Sequence, residues 1–133
     1  MAPGRAGLSA VMADKTVKIP GPDHPITVGK NPDRVVVKVG DVVIADTRDA
    51  LSLQEANYPA VQYIPRADVD FTRLERTEHQ TYCPYKGDAS YYTILPNLVN
   101  AVWTYEQPYD AVADIREHVA FYPNKVSIEI IAD

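Results

Sequence analysis

The chain has one cysteine and three histidines, and the histidines lie far apart in the sequence. A lone cysteine cannot form a disulfide bond within the chain. A structural zinc ion needs four ligands, usually in closely spaced pairs such as CxxC, and the sequence contains no such pairs. We therefore expect a fold without a bound metal ion.

The chain also lacks an apolar run of the ~20 residues needed to cross a bilayer, and its lysines and arginines are scattered. Its formal net charge is −5 and its isoelectric point is near 5.1. An acidic chain without a basic cluster is poorly suited to nucleic acid or to an anionic membrane surface. We expect a cytoplasmic protein with neither of these partners.

The length of 133 residues fits one domain with a single core. In the opening residues, Arg5 is followed by small apolar residues, but this stretch is too short and interrupted for a signal peptide. We expect residues 1–23 to form a flexible arm and residues 24–133 to form one domain.

Short runs of β-branched residues between turn signals predict a mainly β domain. The runs RVVVKV (34–39) and VVIADT (42–47) flank a Gly-Asp pair, which predicts a hairpin with Gly40 at positive φ. The alternation in LSLQE (51–55) suits a short strand, although a helix is an alternative there. Eight or nine such strands favour an antiparallel sandwich or a partly open barrel.

One or two short helices are expected beside the strands. Asp68 is a candidate N-cap, with Phe71 and Leu74 at helical spacing after it. Asp110 is a second candidate N-cap, before AVADIREH (111–118). Both segments are long enough for a few helical turns only.

Three stretches carry a resemblance to a known family: YIPRADVD, CPYKGDASYY and AVWTYEQPYDAVADIREHVAFYPNKV, preceded by GDVVIADTRDALSLQE. In this order they resemble the DUF427 family, which is mostly bacterial, has no assigned function and is sometimes labelled nucleotidyltransferase-like. The resemblance implies a fold similar to the β-tent, in which two antiparallel sheets meet at an angle and enclose an aromatic-lined pocket.

Several relatives in that fold hold the apex of the sheets with a four-cysteine zinc site, which this sequence lacks. Hydrophobic packing is therefore expected to join the sheets. The sequence also has no Gly-rich phosphate loop and no Gly-Ser with paired aspartates, so the transferase label adds little and no cofactor is expected.

The block CPYKG contains two candidates for chemistry, Cys83 and Lys86. A cysteine becomes a nucleophile when a cation favours its thiolate, and Lys86 follows it across a turn at Pro84. His79 or Glu55 would serve as the base. The alternative, which we favour, is a packed Cys83, with Lys86 either solvated or binding an anionic group of a ligand.

Other polar candidates lie on predicted strands. If the leucines of LSLQE face inward, Glu55 faces inward as well and needs a partner such as Lys86, a tyrosine hydroxyl or a ligand. Buried in this way, it would have a raised pKa suited to acid–base work. Ser90 and Tyr91 point to opposite faces of one strand, and both are candidates to contact a ligand.

Aromatic residues are expected to line the pocket. Trp103 and Tyr105 share one strand face, and Tyr63 is a further candidate. Aromatic walls with a few polar groups suit a small flat molecule or a cation. For Phe121 we prefer a place in the core, and we expect His24 and His118 to be surface or satisfied residues.

We interpret the chain as a small-ligand-binding β domain with an aromatic-lined pocket. If it is an enzyme, its residues suit acid–base or thiol-assisted chemistry without a cofactor. Two alternatives remain open: a thiol-dependent enzyme with Cys83 as nucleophile, and a homodimeric interaction module that uses exposed tyrosines and an open sheet edge.

Overall fold

The computed structural model describes residues 15–132. This part of the chain folds into ten β-strands: β1 (Ile26–Lys30), β2 (Arg34–Val39), β3 (Val42–Thr47), β4 (Leu51–Glu55), β5 (Val61–Pro65), β6 (Leu74–Cys83), β7 (Gly87–Ile94), β8 (Leu98–Thr104), β9 (His118–Phe121) and β10 (Ser127–Ile131). All strand pairings between these elements are antiparallel. No helix among residues 15–132 is long and apolar enough to span a membrane.

The strands form two sheets, as the sequence predicts. One sheet has seven strands in the order β1-β4-β5-β9-β8-β7-β6, and the other has three in the order β10-β2-β3. The prediction of a mainly β fold with two antiparallel sheets is confirmed. The hairpin prediction is confirmed too, because Val39 pairs with Val42 and Gly40 has φ 59°.

The predicted short helices are 3₁₀ turns rather than α-helices. In the first region the turns are Arg66–Asp68 and Phe71–Arg73, and the N-cap is Asp70, which accepts from the backbone N–H of Thr72. Asp68, the expected cap, instead accepts a hydrogen bond from the Thr47 hydroxyl at 2.6 Å. The helical spacing of Phe71 and Leu74 therefore corresponds to one 3₁₀ turn, Phe71–Arg73, before β6. A turn of three residues is too short for the hydrogen bonds of an α-helix.

The second predicted helix is the 3₁₀ segment Asp110–Ile115, whose N-cap is Tyr109 and not Asp110. Its Val112 and Ile115 are buried, as an amphipathic segment requires. The segment ends before His118, where β9 begins. The last residue of the predicted helix is therefore extended.

The seven-stranded sheet carries apolar clusters on both faces. The strand register shows which residues share a face. On one face, Tyr92 of β7 lies opposite Val102 of β8, which lies opposite Phe121 of β9, and all three pack in the core shared with the three-stranded sheet. Phe121 is thus a core residue, as expected. On the other face, Tyr91 lies opposite Trp103. This second face carries the candidate site.

Lys15 and Lys18 contact the beginning of β7 and the turn before it. The Lys15 ammonium pairs with Asp88 at 3.1 Å, and the backbone N–H of Lys18 donates to the carbonyl of Pro84 at 2.9 Å. A flexible arm is expected over residues 1–23, and its residues 1–14 lie outside the described part of the chain. The described part of that arm is held against the domain.

Candidate functional site

A cavity of about 240 Å³ opens on the second face of the seven-stranded sheet. Its wall combines apolar and aromatic side chains with one lysine and one glutamate: Leu53, Glu55, Tyr58, Pro59, Val61, Tyr63, Lys86, Tyr91, Trp103, Tyr105 and Tyr122. The volume corresponds to roughly eight waters at ~30 Å³ each, which suits one substituted ring rather than a dinucleotide.

Trp103 is the centre of the aromatic wall. Its indole N–H donates to the hydroxyl of Tyr63 at 3.2 Å, and the two rings meet edge to face with centroids 6.3 Å apart. Tyr122 packs on the indole with a centroid distance of 4.5 Å. Because these contacts hold the rings in fixed orientations, the wall is preorganised for a flat molecule.

Tyr91 closes the wall on the β7 side. Its hydroxyl lies 2.8 Å from the hydroxyl of Thr81 and accepts from Tyr122 at 3.5 Å. His79 packs against the Tyr91 ring at 4.5 Å. The side chain of Tyr91 is therefore fixed by three neighbours.

Lys86 reaches the cavity from the turn between β6 and β7. Cys83 pairs with Gly87, so Pro84–Tyr85–Lys86 forms the connection, as the sequence predicts. Gly87 has φ 109°, and a Cβ there would lie 3.3 Å from the carbonyl oxygen of Gln107. Only glycine fits this position without strain, which makes it a determinant of where Lys86 points.

Lys86, Glu55 and His24 form a chain of charged and polar contacts along the cavity edge. The Lys86 ammonium donates to Oε1 of Glu55, and Oε2 of Glu55 lies 2.8 Å from Nε2 of His24. The His24 ring stacks on Tyr85 with centroids 4.3 Å apart and planes 8° apart. Lys86 is only 8% exposed, and Glu55 supplies the counter-charge for its ammonium group.

The Glu55 carboxylate is held ionised by these partners. Burial by itself raises its pKa, but hydrogen bonds and charges from Lys86 and His24 outweigh burial, and the pKa falls below its ordinary value. The conditional prediction of a raised pKa is therefore wrong. Lys86 was named as a possible partner of Glu55, but the prediction of the pKa took only the effect of burial into account.

Tyr63 and Tyr105 are buried tyrosines whose hydroxyl protons have no acceptor among the described residues. Tyr63 is 1% exposed and Tyr105 is 7% exposed, and burial is the main cause that raises the pKa of both well above the ordinary value. The Tyr63 oxygen accepts from Trp103, yet neither hydroxyl donates a hydrogen bond to any residue of the described chain. Both are neutral donors at physiological pH.

Cys83 lies half-buried at the end of β6 and packs beside the cavity. Across residues 15–132, no hydrogen bond joins its thiol to a histidine or a carboxylate. The Lys86 ammonium, its expected activator, is paired with Glu55. His79, the expected base, packs on Tyr91 instead. These contacts agree with the packed alternative for Cys83.

The structure brings together most of the candidates named from the sequence. Those lining the cavity are Glu55, Tyr63, Lys86, Tyr91, Trp103 and Tyr105. Ser90 lies on the opposite face of β7, where its hydroxyl donates to Glu106 at 3.1 Å and accepts from Arg76 at 3.1 Å. Strand alternation had already separated Ser90 from Tyr91, and Ser90 does not line this cavity.

Sequence reasoning missed three contributors to the site. His24 was expected to be a satisfied residue, and it is, but its partner is the cavity glutamate. Tyr58 and Tyr122 line the cavity and were not named. Tyr122 could have been found by strand alternation, because it lies two residues after Ala120, which pairs with Trp103. No pattern in the sequence indicated His24.

Metal-binding side chains do not converge in the described chain: among residues 15–132, no three His, Cys, Asp or Glu side chains could hold a metal ion together.

Comparison with protein families agrees with the resemblance seen in the sequence. A family model described as a domain of unknown function (DUF427) matches residues 27–132. The chain belongs to the DUF427 family. The match covers every strand of this DUF427 domain except the first residue of β1, and it includes all the residues that line the cavity. No curated protein matches this chain.

Proposed function

We propose that this DUF427 domain binds a small, flat, uncharged organic molecule that carries a hydrogen-bond acceptor, such as a ring carbonyl. The observation that carries the proposal is the pairing of Lys86 with Glu55 at the edge of a cavity walled by Tyr63, Trp103 and Tyr105. The rings supply apolar contact for a flat face, and the polar groups fix its orientation.

The polar groups of the cavity select an acceptor. Tyr63 and Tyr105 each keep a hydroxyl proton without a partner among residues 15–132, and the Lys86 ammonium has three N–H bonds of which Glu55 takes one. Both Glu55 oxygens already face a partner. A ligand oxygen would satisfy buried donors that otherwise cost free energy, whereas a ligand donor would find few acceptors.

Charge balance favours a neutral ligand. Lys86 and Glu55 compensate each other, so a carboxylate or phosphate buried beside them would bring a charge without a counter-charge. We therefore expect Lys86 to contact a neutral hydrogen-bond acceptor of the ligand and not an anionic group.

Three probes with one ring and different charges test the proposal: benzamide, benzoate and benzylamine. Trp103 is the only tryptophan in the chain, so its fluorescence reports directly on the cavity wall. We expect saturable fluorescence changes and thermal stabilisation with benzamide, weaker effects with benzoate and none with benzylamine. Preferred binding of benzylamine, or no binding of any probe, would contradict the proposal.

Variants connect binding to the site. Tyr105→Phe removes one donor and keeps the ring, and we expect about fivefold weaker benzamide binding, the effect of one neutral hydrogen bond. Lys86→Met should weaken benzamide more strongly. Ser90→Ala, on the opposite face of the strand that carries Tyr91, is the matched control and should change nothing.

A further inference from the structure

Resting on the proposed function, we infer that the ligand is amphipathic: its ring occupies the cavity, and an apolar chain leaves the cavity along a second groove beside β10. This apolar groove has a volume of about 470 Å³. It is lined by Tyr58, Pro59, Ala60, Val61, Gln62, Trp103, Phe121, Pro123, Ile128 and Ile130.

The apolar groove adjoins the cavity. Four residues line both spaces: Tyr58, Pro59, Val61 and Trp103. Trp103 and Val61 belong to the second face of the seven-stranded sheet, whereas Phe121 and Ile128 pack in the core of the first face. Residues from both faces of the sheet therefore line the groove.

The pairing of β5 with β9 ends beside the groove. These neighbouring strands pair only at Ile64–Val119 and Pro65–His118. Toward Val61 and Phe121, which line the groove, the two strands make no further pairs. An apolar chain lying beside these unpaired strand ends would displace no residue pair of the sheet.

Ile130 lines the groove and is half exposed. In the register of β10 with β2, Ile128 lies opposite Val37 and Ile130 opposite Val35, and both valines are fully buried on the inner face of their sheet. Ile130 is nevertheless 52% exposed. An inner-face isoleucine left half exposed in the groove fits contact with an apolar chain.

A series of para-alkylated benzamides, with ethyl, butyl and hexyl chains, tests this inference. We expect affinity to rise about fourfold for each methylene group that the groove buries, read from Trp103 fluorescence. Ile130→Asp should abolish most of this gain and leave the affinity for benzamide itself unchanged. Ile131→Asp is the matched control, because Ile131 is the next residue on β10 and faces the outer side.

The outcomes separate the two proposals. Benzamide binding without any gain from the alkyl chain overturns the amphipathic ligand and leaves the proposed function standing. Failure of benzamide itself overturns both. A concentration-dependent mass that Ile130→Asp reduces to that of a monomer would show that a second copy of the chain covers the groove, which also overturns the inference. Unchanged benzamide binding shows that Ile130→Asp is folded.

Discussion

Lys86 and Glu55 lie 31 positions apart in the sequence and form an ion pair at the edge of an aromatic cavity. Their side chains are 10% and 18% exposed, so little solvent screens the contact. His24 engages the second carboxylate oxygen. The pair makes the cavity edge polar, and its effect on stability can be measured by substitution.

The effects of removing the two charges of the pair on stability should not be additive. Lys86→Met leaves the Glu55 carboxylate poorly solvated, and we expect a loss of about 2 kcal/mol in the free energy of unfolding. The double variant Lys86→Met/Glu55→Gln should lose less than the sum of the single variants. Chemical denaturation of the four proteins measures this coupling, and strict additivity would refute it.

Acid should remove the contribution of Glu55. Its folded pKa is lower than its ordinary value of 4.5, so the folded protein binds fewer protons on this group than the unfolded chain does. The stabilisation is present above pH 4.5 and is lost as the pH falls toward the folded pKa. The difference in unfolding free energy between the native protein and Glu55→Gln should shrink below pH 4.5.

The control for this acid effect is Glu75→Gln, which changes an exposed glutamate on β6. Its stability difference from the native protein should be small. A Glu55→Gln difference that grows as the pH falls would mean that the pair does not lower the pKa of Glu55.

Several tyrosines should resist ionisation in the folded protein. Burial and hydrogen bonding with Tyr91 raise the pKa of Tyr122 to about 12, and burial raises the pKa of Tyr63 and Tyr105 still further above the ordinary 10. A hydrogen bond with Tyr109 raises the pKa of Tyr82 to about 12 as well.

A spectrophotometric titration should therefore show fewer than nine phenolates forming between pH 10 and about 12 while the fold persists. In denaturant all nine should titrate together near the ordinary value. Tyr105→Phe should leave the native titration in this range unaltered, and a lost native phenolate in that variant would place Tyr105 in solvent.

The turn that presents Lys86 should depend on glycine. Gly87→Ala introduces a side chain at φ 109° and 3.3 Å from a backbone oxygen, so we expect a loss of about 1–3 kcal/mol. Gly29→Ala is the matched control: nothing lies within 4 Å of its Cβ and its φ is ordinary. Equal melting temperatures for Gly87→Ala and the native protein would contradict this reading of the turn.

Cys83 should behave as a packed thiol. Its expected activator Lys86 pairs with Glu55, so alkylation by iodoacetamide in the folded protein should be slow and should accelerate on unfolding. Cys83→Ser should retain benzamide binding. Rapid alkylation of the folded protein at neutral pH would instead favour the thiol-dependent enzyme.

The sequence by itself determined the strands, the β2–β3 hairpin and the turn before Gly87, because β-branched runs and glycine positions act over a few residues. Alternation also predicted that Trp103 and Tyr105 share one face and that Glu55 lies on the face of Leu51 and Leu53, although a helix was an alternative for residues 51–55. These are local properties of an extended chain, and the family resemblance agreed with them.

Only the tertiary structure decided which partners these residues meet. The pairing of β1 with β4 places the segment before β1 next to Glu55, and this brings His24 to the carboxylate. The fold also brings Lys86 to Glu55 from a distant turn. The contacts with Lys86 and His24 lower the pKa of Glu55, whereas burial alone would raise it. The pairing of β5 with β9 ends after two residue pairs, beside the groove. Charge pairing and gaps between strands depend on long-range register, and the local pattern of a sequence does not encode it.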